Sequence, residues 1–372
     1  MSKKLLVLGI GHAQVDLIHA AKEMGFEVVA CAFNEQGPGK ALVDDFKQLD
    51  IKDVEAVKQY AIEQEVDFIY SMALELSVPT MAAVSEALGL PTFVKPASLE
   101  KIENKAVWRT EIGDAEGNVK HLSGTRVEDF REWAIYPAIL KPVDGSGQRG
   151  VIRVDNFEDI QAAFNESVSH SLSEELMVEE FVDGREISVN TFVEKGELKF
   201  ALVSDRISYE EYPGGIIKAH YIPSRVIDEE AKAIVLNLVD KVNKTIGFEN
   251  GHIYFQMKVQ NDTPYLIEFT PRFDACHMWN LIYYSTGLDL RKVALETLAY
   301  GESETLAKFD ETQDIREVET HFISDKPGTI VNKENYEIPE NPLYLKWYYD
   351  EGQEVRSVTG YMEKVGYYIV ER

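Results

Sequence analysis

The stretch Pro137–Val151 (Pro-Ala-Ile-Leu-Lys-Pro-Val-Asp-Gly-Ser-Gly-Gln-Arg-Gly-Val) constrains this chain more than any other. An apolar run, Ala138–Leu140, ends on Lys141; three glycines follow (Gly145, Gly147, Gly150), and a second apolar run opens at Val151. The pattern predicts a hairpin with a glycine-rich loop. Glycines let successive backbone N–H groups converge on one anion without a Cβ in the way. Lys141 places a cation at the base of the loop and Arg149 another inside it, which suits a polyphosphate. It is not a P-loop, because no lysine–hydroxyl pair opens a helix after the glycines. Alone, the stretch reads equally well as an ordinary glycine turn. Its partners downstream decide.

Charge narrows the partners. The chain of 372 residues carries 64 acidic against 38 basic side chains, a net charge of −26. Such a surface repels nucleic acid and anionic membrane in the absence of a basic patch, and no basic run interrupts it. No apolar stretch approaches the length of a membrane span. Lys3 and Lys4 before Leu5–Ile10 imitate a signal peptide, but the run is too short and leads into Gly-His-Ala-Gln. The two cysteines, Cys31 and Cys276, form neither a disulfide framework nor a metal cluster. A cytoplasmic protein is expected, without nucleic-acid or membrane partners. At this length, two or three units are expected as well.

Residues 1–97 alternate apolar strands with helices: Leu5–Leu8, a helix from Gly11 to about Gly25, Val28–Ala32, a helix at 54–64, Phe68–Ser71 and a helix at 79–88. This predicts a Rossmann-like parallel α/β sheet. Gly9-x-Gly11 imitates a dinucleotide fingerprint, but Gln14 stands at the third glycine position, so an NAD-dependent oxidoreductase is the least supported reading. The helix start remains a candidate anion site.

Ser98 is expected to cap one helix carrying Lys101, Lys105 and Arg109. Residues 157–168 have helical spacing, and 176–189 read as strand, kinked linker, strand. The segment 209–224, with Gly214, Gly215 and His220, is expected to be a flexible loop over a cleft, and 234–246 an amphipathic helix. His252–Val259 and Pro264–Phe269 then flank Asn261-Asp262, a hairpin signature. Gln256 and Glu268 on that hairpin can aim at one point, because cross-strand neighbours lie roughly 5 Å apart. A half-buried carboxylate there needs a cation: Mg²⁺, or Arg272 internally.

Taken together, the lysine helix, the glycine hairpin, Val178-Glu-Glu-Phe-Val-Asp-Gly-Arg-Glu-Ile-Ser-Val189 and Tyr265-Leu-Ile-Glu-Phe-Thr-Pro-Arg272 resemble the ATP-grasp superfamily of carboxylate–amine ligases. The likeness is to the branch containing carbamoyl phosphate synthetase, biotin carboxylase and the L-amino-acid ligases. It implies an α/β ATP-grasp fold in three parts. These are an N-terminal Rossmann-like domain (1–97), a body in two subdomains (98–180 bearing the lid, 181–305 binding Mg²⁺) and a C-terminal β-rich subdomain (306–372).

By the same resemblance, Lys105 and Lys141 hold the ATP phosphates, and Gly145, Ser146, Gly147 and Gly150 lie in the loop closing over them. Glu179 with the backbone of Phe181 and Val182 meets adenine, and Glu186 the ribose. Gln256, Glu268 and Thr270 ligate Mg²⁺, for which Mn²⁺ can substitute. Arg272, with Lys141, serves catalysis. Arg272, His220 and Glu75 meet the substrates, a small-molecule carboxylate and an amine, and Asp274, His277 and Trp279 are either pocket wall or core of the following helix. The implied reaction is ADP-forming, through an acyl phosphate. A homodimer is compatible with it. Thr270 replaces the asparagine of the Glu-x-Asn-x-Arg signature, and Phe273–Trp279 is bulkier than the glycine-rich turn of relatives. These departures keep open a catalytically weak ATP-binding protein with a regulatory role.

Overall fold

Uninterrupted apolar runs build the first sheet of the computed structural model, which describes residues 2–145, 147–212, 215–310, 312 and 314–372. Strands β1 (Lys4–Leu8), β2 (Glu27–Ala32), β3 (Asp45–Gln48) and β4 (Phe68–Tyr70) lie parallel in the order β3-β2-β1-β4. Helices α1 (His12–Glu23), α2 (Val54–Glu63) and α3 (Val78–Leu88) follow β1, β3 and β4. Leu5–Leu8 is fully buried, as a central parallel strand requires. The strand β3 was not expected, because Asp45-Phe-Lys-Gln48 has no apolar run. Glu75 follows β4, the fourth strand of this sheet.

The single helix expected after Ser98 is two: α4 (Pro96–Glu103) and α5 (Lys105–Ile112). Asn104 breaks it, standing extended while its side chain accepts from the N–H groups of Ala106 and Val107. The break puts Lys105 on the first turn of α5, with its backbone N–H donating to the Val143 carbonyl at 2.9 Å. A second, antiparallel sheet follows, in the order β5 (His121–Gly124), β8 (Leu176–Glu180), β6 (Ala138–Pro142), β7 (Ile152–Val154). The pair β6–β7 is the expected glycine hairpin, in the register Ala138–Val154. Helix α6 (Phe157–Val168) packs Ile160 and Phe164 with Leu140 and Phe130.

The third sheet has eight antiparallel strands: β9 (Arg185–Glu194), β10 (Glu197–Ser208), β11 (Ile217–Ile222), β12 (Gly251–Gln260), β13 (Thr263–Thr270), β14 (Val318–Asp325), β15 (Tyr344–Trp347) and β16 (Glu363–Glu371). Their order is β13-β12-β9-β10-β11-β14-β16-β15. Helices α7 (Glu229–Ile246), α8 (Met278–Thr286), α9 (Leu290–Tyr300) and α10 (Glu304–Ala307) complete the chain.

One expectation is corrected here. Within the 209–224 segment, Ile217–Ile222 is strand β11, hydrogen-bonded to β10 and β14, and His220 sits on it at 0% exposure. In the β-rich stretch expected at 306–372, β14, β15 and β16 are the strands, and Ile330–Glu354 is an isolated bridge. Through β14 and its neighbours the C-terminal strands continue the central sheet. No helix among the described residues is long and apolar enough to cross a membrane.

Candidate active site

The tip of the 252–270 hairpin explains the aim of its side chains. Asn261 and Asp262 both adopt positive φ (51° and 61°), the geometry of a two-residue hairpin turn. The resulting register sets Gln256 directly opposite Glu268, and Tyr254 opposite Thr270. Glu268 is exposed and makes no hydrogen bond or ion pair with any described residue. The internal pair with Arg272 does not form. Arg272 donates instead to Glu75 Oε2 at 2.8 Å and to the Phe273 carbonyl at 3.0 Å.

Glu268 and Gln256 open on a cavity of 260 Å³ between the second and third sheets. Lys105, Lys141, Gly145, Gly147, Glu179, Phe181, Val182 and Glu186 line the same cavity, so segments far apart in the chain meet there. Lys105 Nζ donates to the Gly145 carbonyl at 2.7 Å and so touches the glycine loop directly. Phe181 joins the hinge to β6 through its N–H, donated to the Pro137 carbonyl at 3.1 Å, and its ring takes Arg153 at 4.8 Å and Lys258 at 5.6 Å. Gly184 is forced: a Cβ there would stand 2.1 Å from the Val259 carbonyl oxygen.

A second cavity, of 520 Å³, shares Lys105, Gly145, Gly147 and Glu268 with the first. Its other walls include Thr270, Arg272, Glu75, Trp108 and Leu172. The two together form one cleft with a cationic, glycine-lined end and a mixed-charge end.

Glu179 differs from its expected role. Its carboxylate is buried, salt-bridged to Lys141 Nζ and to Arg109 Nη2, the latter at 3.0 Å. Burial alone would raise its pKa, but the charges of Lys141 and Arg109 outweigh it and hold the carboxyl below its ordinary value. Burial brings Lys141 down to about 8, against the pull of Glu179. Glu179 is thus the counter-ion that lets two cations sit under the cleft, and its side chain is committed inward. Arg109 was not foreseen. It is fully buried and also donates to the Ile267 carbonyl at 2.8 Å and to Asn118 Oδ1 at 3.2 Å. Glu186 is likewise engaged, by Arg206.

Gly150 does not line the cleft. It has φ +70° and is pressed on α6, where a Cβ would meet the Ser167 carbonyl at 3.0 Å. Ser146 lies outside the described residues. His220 lines neither cavity, being closed inside the large sheet. His277 and Trp279 are core: both reach Asp16 on α1 at 3.1 Å, and Lys346 completes the cluster at 2.7 Å. The α1 N-terminus is closed too. Gln14 Oε1 accepts the Gly11 N–H at 2.9 Å, and the His12 ring stacks on Tyr348. That leaves the dinucleotide fingerprint without its phosphate seat.

With this geometry in place, similarity to known proteins becomes informative. Residues 134–278 match the ATP-grasp domain family. That span holds the glycine hairpin, the Glu179 hinge and the Gln256–Glu268 pair. The chain is 26% identical over 310 residues to alanine–anticapsin ligase of Bacillus subtilis (strain 168), covering 75% of this chain and 60% of that protein. It is 27% identical over 189 residues to formate-dependent phosphoribosylglycinamide formyltransferase of Prochlorococcus marinus, 49% of this chain and 48% of the relative. The chain thus spans about half to three-fifths of the length of these relatives. Phosphoribosylglycinamide synthetase from Anaerococcus prevotii has the same fold, with a TM-score of 0.81 at 20% identity, over 100% of this chain and 94% of that one.

Proposed function

We propose that this chain is an ADP-forming ligase that phosphorylates a small-molecule carboxylate with Mg·ATP and couples the acyl phosphate to an amine. One observation carries the reading: the two lysines, the glycine loop, the hinge and the Gln256–Glu268 pair converge on a single cavity that opens onto Arg272 and Glu75. Phosphoryl transfer asks a protein for positioning and charge neutralisation rather than a covalent group. Lys105 and Lys141 supply the charge, and Gly145 and Gly147 line the cavity beside them.

The unpaired Glu268 carboxylate beside an amide oxygen, with the Thr270 hydroxyl next along β13, fits a hard divalent ion completed by phosphate oxygens and water. Bound there, Mg²⁺ would neutralise the phosphates. The carboxylate oxygen attacks the γ-phosphorus as the bond to ADP breaks; the amine nitrogen then attacks the acyl carbon and phosphate leaves. Arg272 would hold the acyl phosphate by a bidentate pair once Glu75 yields it. We read residues 1–97, 98–180, 181–305 and 306–372 as the working units, with 98–180 bearing the lid.

Mg·ATP, not NADH, is expected to stabilise the protein, by about 2.7 kcal/mol at a hundredfold excess over Kd. Thermal unfolding with each ligand checks this, and stabilisation by NADH alone would overturn it. A screen of amino acids and small carboxylates for ADP release, with products weighed by mass spectrometry, tests the ligase. ATP-dependent stabilisation without ADP release from any pair would favour the regulatory reading that Thr270 keeps open.

Glu75→Ala should alter KM for one substrate by about two- to fivefold, the scale of a half-exposed ion pair, and leave ATP affinity alone. An equal loss of ATP affinity would take Glu75 out of the acceptor end.

A further inference from the structure

Behind the cleft, on the closed side of the loop that carries Arg272, three metal-ligating groups meet. The ligand atoms of His220 on β11 and of Asp274 and Cys276 in the loop after β13 all lie within 4.8 Å of one another, and all three residues are buried. They have not been spent on each other. His220 Nε2 and Asp274 Oδ2 face each other at 3.9 Å, beyond hydrogen-bond reach, and neither has another partner. Buried polar atoms left this way are rare and call for an explanation.

We infer that His220, Asp274 and Cys276 form a binding site for a borderline-soft divalent metal ion of the zinc class, separate from the Gln256–Glu268 pair. The donor set is one imidazole nitrogen, one thiolate and one carboxylate oxygen, which selects Zn²⁺-like ions over Mg²⁺ or Ca²⁺. Three protein ligands leave a fourth position for water or an outside group. The thiolate and carboxylate together balance a divalent charge.

Neighbouring groups hold the three side chains in place. Asp274 Oδ1 already accepts the Cys276 N–H at 3.1 Å, which fixes the loop and leaves Oδ2 turned to His220. His220 is fully buried on β11, and both of its ring nitrogens are without a hydrogen-bond partner among the described residues. Lys364 Nζ stands 3.4 Å from Cys276 Sγ and 3.6 Å from the Phe322 ring, so it can donate to a metal-bound sulfur. Of the other cations that act on Asp274, Arg206 is taken up by Glu186 and Arg272 by Glu75. Metal uptake would release the Cys276 thiol proton, because the thiolate is the ligating form. An ion there would pin the Arg272 loop to β11.

The test is cobalt titration of the full chain, stripped with chelator and held in excess Mg²⁺. One equivalent of Co²⁺ is expected to give thiolate charge-transfer absorption in the near ultraviolet with visible bands of a four-coordinate site, displaced by Zn²⁺. Cys276→Ser should abolish the charge-transfer band. Asp274→Asn, which keeps the size of the side chain, should keep the band but weaken binding by roughly tenfold or more. Zn²⁺ should raise the unfolding temperature of the parent and not of Cys276→Ser. No stoichiometric uptake in Mg²⁺, or a band that survives Cys276→Ser and so belongs to Cys31, overturns the assignment. The readouts involve no turnover, so they stand or fall apart from the ligase reading.

Discussion

Replacing Glu179 with alanine is expected to cost about 3–5 kcal/mol, the largest loss for any single change in the cleft, because it strands two buried cations. Lys141 and Arg109 are 6% and 0% exposed, and both direct their charge at this one carboxylate. The effect should spread, since Arg109 also holds the Ile267 carbonyl next to Glu268. Lys141→Ala makes the contrasting variant. It leaves Glu179 paired with Arg109, so most of the stability should remain, while ATP affinity falls by about ten- to a hundredfold for the loss of a charge-assisted phosphate contact. Urea unfolding and nucleotide titration of both variants separate the roles. A Glu179→Ala protein within about 1 kcal/mol of the parent would mean that the cations find water. A Lys141→Ala protein with unchanged ATP affinity would remove Lys141 from the phosphates.

What could be read from the sequence was local. The glycine hairpin and the Asn261-Asp262 hairpin announce themselves by turn chemistry within a few residues, and register then forces Gln256 to face Glu268. The Asn104 break was also there to be read as a capping asparagine before Lys105. The misses are long-range. Arg109 reads as a solvated helix cation or a phosphate contact, because its partner Glu179 lies on β8, far along the chain, and only folding closes the distance to 3.0 Å. Asp16 belongs to a helix whose spacing says nothing of His277, 261 positions away, or of Lys346, 330 away. The stretch around His220 reads as loop because Gly214-Gly215 and Pro223 bracket it. Its Ile217, Tyr221 and Ile222 are nonetheless strand formers, and β10 and β14 pair with it on either side.

Acid should unseat the loop that carries Arg272 at a pH where most carboxylates are still charged. His252 is fully buried, its Nδ1 donates to the Arg272 carbonyl at 3.0 Å, and its ring stacks on Phe273 at 4.1 Å between centroids. Burial, the largest influence, lowers its pKa from 6.5 to about 3, against the pull of the Arg272 carbonyl and Asp274. The folded pKa is thus the lower one. The unfolded chain takes up the proton first as pH falls, so the stabilisation is complete above about 6.5 and declines steadily below it toward 3. From pH 7 to pH 5 this one group should remove about 2 kcal/mol, at 1.36 kcal/mol per proton and pH unit. Carboxylates held down by partners, Glu179 and Asp16 among them, contribute their own loss only at lower pH. His252→Gln keeps a donor for the carbonyl but cannot titrate, so its stability should fall about 2 kcal/mol less than the parent's over that interval. Urea unfolding at pH 7, 6 and 5 measures the difference. Parallel curves for the two proteins would show that His252 is not the group that charges, and that the Arg272 loop owes its acid sensitivity to something else.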